Sequence, residues 1–216
     1  MTILYLHGFA SSPGSRKAVA FAARFAALGH DVDRLELRRP SLAALRLSAI
    51  LDEVARAAAA APAPVVLIGS SLGGLAAARH TERDPRVVAQ VLLAPAFQLV
   101  PRWRERLGPA AWQAWRDDGA LEVHDYATGA PARVHAGFLD DAAAIDPEGT
   151  FPAFPVPTLI LHGVGDDVVP IATSRQVAAA EPRVRLIELD DDHELGASIP
   201  RLLAEAEAFL APWLDL

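Results

Sequence analysis

Cysteine is absent from all 216 residues. That excludes disulfides, thiolate metal sites and a cysteine nucleophile together. Long apolar runs are missing as well. No stretch approaches the roughly 20 apolar residues that a membrane-spanning helix needs. An excess of basic charge is also lacking, since the formal net charge is −7. Non-specific nucleic-acid binding draws on a basic footprint, so no nucleic-acid partner is expected. A local basic pocket stays open. The opening "MTILYLHGFASS" has no basic stretch before its short apolar run, which does not fit a secretory leader. A cytoplasmic location is the expectation. A required metal would need clustered His and carboxylate ligands. No such cluster stands out, so neither a metal nor another cofactor is expected.

What is present points to a folded enzyme-sized unit. Hydrophobic residues make up 52% and charged residues 22%, enough for a core and too apolar for wholesale disorder. The length suits one domain, taken as residues 1–216. Apolar runs of strand length alternate with helical stretches. "TILYLHG" at 2–8, "PVVLIGS" at 64–70, "VVAQVLLAPA" at 87–96 and "PTLILHG" at 157–163 read as buried strands. "DVDRLELR" at 31–38 and "RVRLIELD" at 183–190 alternate, as half-buried strands do. Helices are expected over 12–29, from Leu42 to about Ala61 with Ser41 as cap, over 71–83, over 170–181 and from Ile199 to Leu214. "ARAAAAAPAP" reads as a helix end and a proline-marked link.

Between about 97 and 156 the alternation breaks. Two short helices interrupted at Gly108-Pro109, a hairpin around "LEVHDYATGAPARVHAG" and a short helix in "FLDDAAAID" are expected there. Six strands separated by helices imply a mostly parallel sheet covered on both faces, an α/β fold. The irregular segment is a cap insertion.

In such a sheet, functional groups gather at the carboxyl ends of the strands. Four ends carry unusual sequences: "LHGFASS", "GSSLGG", "LHGVGDDVVP" and "ELDDDHEL". Gly69-Ser70-Ser71-Leu72-Gly73 fits G-x-S-x-G, in which the middle serine sits on a sharp strand-to-helix turn. Only Ser71 has glycine two before and two after. Ser70 has Ile68 and Leu72 there, and is expected to bond the local backbone instead. A serine nucleophile needs a base, and the base an orienting acid. Of the seven histidines, His193 lies just past the last strand, where the rim is. His7 and His162 precede glycine at strand ends and read as loop braces. Asp166 is the favoured acid, with Asp167 beside it as the open alternative. Asp190, Asp191 and Asp192 stand too close to His193 in sequence to orient its ring and read as solvated loop charges. The oxyanion donors would be the N–H of Leu72 and that of Phe9. The resulting order Ser, Asp, His is that of α/β-hydrolases.

The motifs "LYLHGFASSPGSRKA", "IGSSLGG", "LHGVGDDVVP" and "DDDHEL" resemble an α/β-hydrolase. The first resembles the small YqiA-like bacterial esterases, whose first strand runs into an HGF-x-SSP loop. The resemblance spans nearly the whole chain and is weakest in the insertion. It implies a serine carboxylic-ester hydrolase with a compact sheet lacking the two N-terminal strands of larger relatives. The Asp-Asp pair departs from many of those relatives. In the cap, Trp103, Trp112 and Trp115 are candidates for an apolar acyl pocket, against the plainer reading that they pack the cap onto the body. Arg102, Arg104 and Arg106 read as a solvated face; were they to converge, an anionic substrate would be conceivable. The expected substrate is a small-molecule acyl ester. The alternatives are a thioesterase or other hydrolase on the same triad, and a non-catalytic binding module.

Overall fold

Residues 1–214 are described by a computed structural model. In chain order the body opens with β1 (Thr2–Leu6), α1 (Arg16–Ala26), β2 (Val32–Leu35), α2 (Leu47–Ala60), β3 (Val65–Ser70), α3 (Leu72–Thr81) and β4 (Val87–Leu93). The insertion holds α4 (Leu99–Asp117), β5 (Ala120–Asp125), β6 (Ala130–His135) and α5 (Gly137–Ile145). The body closes with β7 (Thr158–Gly163), α6 (Ala172–Ala180), β8 (Val184–Leu189) and α7 (Ile199–Leu214).

Six strands form one parallel sheet in the order β2-β1-β3-β4-β7-β8. Successive side chains of a strand point to opposite faces, and the strand residues sort accordingly. Ile3, Tyr5, Val66 and Ile68 pack with Phe21 and Phe25 of α1 and Leu202 and Leu210 of α7. Leu4, Leu6, Val65 and Leu67 pack with Ile50 and Val54 of α2 and Leu75 of α3. Burying such a side chain contributes about 1.5–3 kcal/mol, so both helix layers are held by apolar burial. The chain leaves β1 toward β2, then crosses back to place β3 on the other side of β1. That reversal opens a crevice at the carboxyl ends of β1 and β3, where α/β sheets bind ligands. Among the described residues, no helix is long and apolar enough to cross a membrane.

Two helix starts differ from the sequence expectation: α1 begins at Arg16 rather than at residue 12, because the Ser15 hydroxyl caps it by accepting the Ala18 N–H, and α2 begins later than Leu42. α2 begins at Leu47, after Arg46. Ser41 caps an earlier turn instead, its hydroxyl accepting the Ala44 N–H at 3.3 Å. The physical reason is tertiary: the Ala43 carbonyl accepts the N–H of His135 in β6 at 3.0 Å, and Leu42 and Leu45 are buried. The segment serves the insertion rather than a longer helix.

Within the insertion, α4 breaks at Gly108, whose φ of +72° is open to glycine at little cost. β5 and β6 pair antiparallel. The Tyr126 N–H at the hairpin tip donates to the Ala10 carbonyl at 2.9 Å. Ser48 of α2 bonds Asp141 of α5 through both its N–H and its hydroxyl, at 2.9 and 2.5 Å. Asp146 is fully buried. It pairs with Arg79 of α3 at 3.0 Å and accepts the Leu99 N–H at 2.8 Å. Burial pushes its carboxyl above the ordinary range, against the bonds from Leu99 and Arg79.

Breaking a buried ion pair by removing one partner costs about 3–5 kcal/mol, because the other charge stays buried. Asp146→Ala is therefore expected to lose stability on that scale in urea denaturation. The double variant Asp146→Leu, Arg79→Met should recover most of it. A single-variant loss below about 1 kcal/mol would remove Asp146 as the anchor of the insertion.

Candidate active site

The site is built at the β3–α3 turn. Ser71 sits there with φ +53° and ψ −114°, a sparsely populated conformation for any residue with a Cβ. Its neighbours explain the glycines. A Cβ at Gly69 would run into the Gly73 carbonyl and lie 2.8 Å from the Gly74 Cα. A Cβ at Gly73 would strike the Leu6 carbonyl and lie 2.6 Å from that of His7. The turn is thus pressed onto β1, and the HGF loop after β1 faces Ser71. The N–H groups of Phe9 and Leu72 both lie at this junction and have no acceptor among the described residues. Ser70 ends β3 and is buried. Its hydroxyl has no backbone partner among the described residues, unlike the local bond expected for it.

His193 follows β8 and places Nε2 3.0 Å from the Ser71 hydroxyl. Its Nδ1 lies 2.7 Å from Oδ2 of Asp166. The ionised carboxylate only accepts, so Nδ1 carries the hydrogen and Nε2 is left to accept from Ser71. Asp167 is exposed and outside this chain of bonds. Oδ1 of Asp166 accepts the N–H groups of Val168 and Val169 at 2.9 and 2.7 Å. Burial alone would raise the Asp166 carboxyl. The bonds from His162 and His193 and the Val169 N–H outweigh it and hold the group well below the ordinary carboxylate range.

His162 does more than brace a loop. It is fully buried. Its Nε2 lies 3.1 Å from Oδ2 of Asp166 and 2.8 Å from the Val169 carbonyl. Both partners accept, so Nε2 carries hydrogen, and Nδ1 takes the Ser174 hydroxyl at 2.8 Å. Of the acidic run before His193, Asp190 is the exposed loop charge expected, while Asp191 and Asp192 also hold the loop together. Asp191 accepts the N–H groups of Asp192 and Ser198, each at 2.8 Å, and Asp192 accepts that of Glu194 at 2.8 Å. The sequence signal was there in Asp-Asp-Asp before a turn, since Asp favours such local bonds. Elsewhere, His80 and Asp84 pair with each other at 3.2 Å. Among the described residues no group of three or more His, Asp or Glu converges as a metal set.

Ser71 and His193 open onto a cavity of about 630 Å³. Phe9, Leu99, Trp103, Leu107, Leu121 and Val123 give it an apolar wall. Trp103 stands edge-on to Phe9 with ring centres 4.9 Å apart. The other two tryptophans take no part in that wall. Trp115 is buried behind it, with its indole N–H on the Val134 carbonyl at 3.0 Å. Trp112 is half-buried, edge-on to Trp115 with ring centres 6.2 Å apart, and lines a separate hollow. Arg102 also departs from the solvated face expected of it. It bonds the Phe97 and Val168 carbonyls at 2.7 and 3.1 Å, which ties α4 to the loop that carries Asp166. Burial pulls its guanidinium down to about 10, still cationic at neutral pH. Arg104 pairs with exposed Glu148 at 3.0 Å.

The elbow geometry has a stability signature. Ser71→Gly should raise stability by about 1 kcal/mol through relief of backbone strain. Gly73→Ala should lower it by about 1–3 kcal/mol or more, because the backbone of β1 cannot yield. Chemical denaturation of both variants reads this directly, and changes of the same sign would contradict it.

The structure resembles solved α/β-hydrolases. It matches alpha/beta hydrolase domain-containing protein 10 from mouse at 24% identity with a TM-score of 0.83, over 98% of this chain and 90% of that one. It matches Est1E from Butyrivibrio proteoclasticus, solved with ferulic acid bound, at 18% identity and a TM-score of 0.85, over 100% and 90%. The esterase domain of a Rhodothermus marinus protein matches at 22% identity and a TM-score of 0.67, over 96% and 86%. A search of curated proteins finds no match. Residues 2–211 match the family described as "Uncharacterised protein family (UPF0227)", so this α/β-hydrolase-fold chain belongs to UPF0227.

Proposed function

We propose that this protein is a serine hydrolase that cleaves small-molecule carboxylic esters through Ser71, His193 and Asp166. The observation that carries the reading is the continuous bond chain from Asp166 through His193 to Ser71, ending at a cavity with an apolar wall. Similarity to folds that include esterases agrees with it.

Ser71 attacks the ester carbonyl while His193 Nε2 takes its proton. Asp166 stays ionised, fixes the ring tautomer and stabilises the imidazolium that forms. The N–H groups of Phe9 and Leu72 donate to the oxyanion, and such a donor is typically worth about 2.7–4 kcal/mol in the transition state. Collapse of the tetrahedral intermediate breaks the ester C–O bond, and His193 returns the proton to the leaving alcohol. Water, deprotonated by the same imidazole, then attacks the acyl-enzyme and releases the acid. His162 acts here as a positioning residue, holding Asp166 through Oδ2, the same oxygen that meets His193 Nδ1. Trp103 and the apolar wall take the acyl chain.

A fluorophosphonate probe should label Ser71, and Ser71→Ala should lose both the label and about 10³-fold or more in p-nitrophenyl ester turnover. Folded protein that neither labels nor turns over any ester would overturn the reading. Trp103→Ala should raise KM for hexanoyl and longer esters more than for acetyl esters. An equal change across chain lengths would place the acyl group elsewhere.

A further inference from the structure

The cavity is not apolar all round. Beside His193, its wall changes to Ser11, Ser12, Ser15, Arg16 and Lys17, from the loop between β1 and α1 and the first turn of α1. Lys17 is the only lysine in the sequence. Its ammonium donates to the carbonyl of Glu194, next to His193, at 2.7 Å. An ammonium has three N–H bonds; the other two have no partner among the described residues. The Arg16 guanidinium has no ion-pair partner among the described residues and lies close to Gly196 on the same loop as His193. The hydroxyl oxygens of Ser12 and Ser15 accept the N–H groups of Gly14 and Ala18. Their O–H bonds are left to donate. This arm of the cavity is a bank of donors.

The nearby acids do not use these donors up. Asp191 and Asp192 are engaged by backbone N–H groups of their own loop. Glu194 meets Lys17 through its carbonyl, with no ion pair between the side chains among the described residues. Burial pulls the Lys17 ammonium below its ordinary range, while Glu194, Asp192, Asp166 and Asp191 oppose that pull only through space. A direct counter-ion is the missing partner, and a ligand can supply it.

Position decides which part of a substrate meets this arm. His193 hands its proton to the leaving oxygen, so the alcohol part lies on the His193 side. Lys17 is bonded to the residue after His193. The acyl part lies toward Trp103 and the cap. We infer that Lys17, with Arg16 and the loop serines, forms an anion subsite for the leaving group, and that the favoured substrate is an ester whose alcohol part carries a carboxylate or a phosphate. This rests on the ester-hydrolase reading and narrows its substrate class.

The test compares 4-carboxyphenyl butyrate and 4-(butyryloxy)phenyl phosphate with neutral 4-carbamoylphenyl butyrate, at low salt. The wild-type protein should prefer at least one anionic ester by about 10-fold or more in kcat/KM. Lys17→Met should abolish that preference and Lys17→Arg should keep most of it. The two anionic esters separate a carboxylate from a phosphate. No preference in the wild type, or a ratio unmoved by Lys17→Met, overturns the inference while neutral-ester turnover leaves the hydrolase reading standing. If no ester is turned over, calorimetry on the same protein decides the subsite. Binding of 4-hydroxybenzoate or 4-hydroxyphenyl phosphate, lost in Lys17→Met and not matched by 4-hydroxybenzamide, upholds it; equal affinity for all three overturns it.

Discussion

The close approach of the β3–α3 turn to β1 governs the rest of the molecule. Gly73 lies against the carbonyls of Leu6 and His7 with no room for a side chain. That contact forces Ser71 into its positive-φ geometry and brings the loop after β1 alongside it. The strain is offset by the burial around it: β3 and α3 are buried along their whole lengths, and Ser71 between them is half-buried. Apolar burial of this extent exceeds a strain of about 1–3 kcal/mol. A chain can hold one residue in an unfavourable conformation only where the surroundings leave it no alternative.

A similar constraint recurs between β7 and β8. Gly163 lies against the carbonyls of Asp191 and Asp192, and the Gly165 N–H donates to the Asp191 carbonyl at 3.0 Å. The loop with Asp166 and the loop with His193 are therefore one packed unit. Asp166 is its hub, receiving two backbone N–H groups on one oxygen and two imidazoles on the other. Arg102 joins this unit to α4 of the insertion through the Val168 carbonyl. The insertion is thus tied both to the body, at Asp146 and Asp141, and to the loop that holds the acid.

The alternation of strand and helix was legible because burial imposes a period on the sequence. The rim motifs were legible because tight turns and local acid–backbone bonds demand particular residue types. Ser71 could be told from Ser70 by its flanking glycines alone. What the chain's periodicity does not encode is which elements meet. The sequence offered Trp103, Trp112 and Trp115 alike as pocket or packing residues, and only tertiary packing decided that Trp115 is buried against the Val134 carbonyl of β6 and Trp112 lines a separate hollow. The alternate spacing of Arg102, Arg104 and Arg106 suggested solvent, and held for Arg104, while two backbone carbonyls drew Arg102 inward. Asp166 and Asp167 are equivalent in composition; the Val168 and Val169 N–H groups distinguish them. The anchor at Asp146 had no sequence signal, because its partner Arg79 lies far away along the chain.

Net charge sets the long-range field, and a pocket sets the local one. A charge of −7 argues against a nucleic-acid footprint without describing any single cavity. Here four cations line the cavity, Arg102 and Arg106 from α4 and Arg16 and Lys17 from the start of α1; the latter two are adjacent in sequence, reach the loop of His193, and lack an ion-pair partner among the described residues. Elsewhere on the surface Arg24, Arg56 and Arg175 are matched by Glu207, Glu53 and Glu188. Exposed pairs of that kind are screened by water and salt, contribute little to stability and need no further purpose than solubility. An unmatched, partly buried ammonium costs more to keep than an exposed pair. Its place in the wall of the cavity that holds Ser71 and His193 is what joins the electrostatics of this chain to its proposed chemistry.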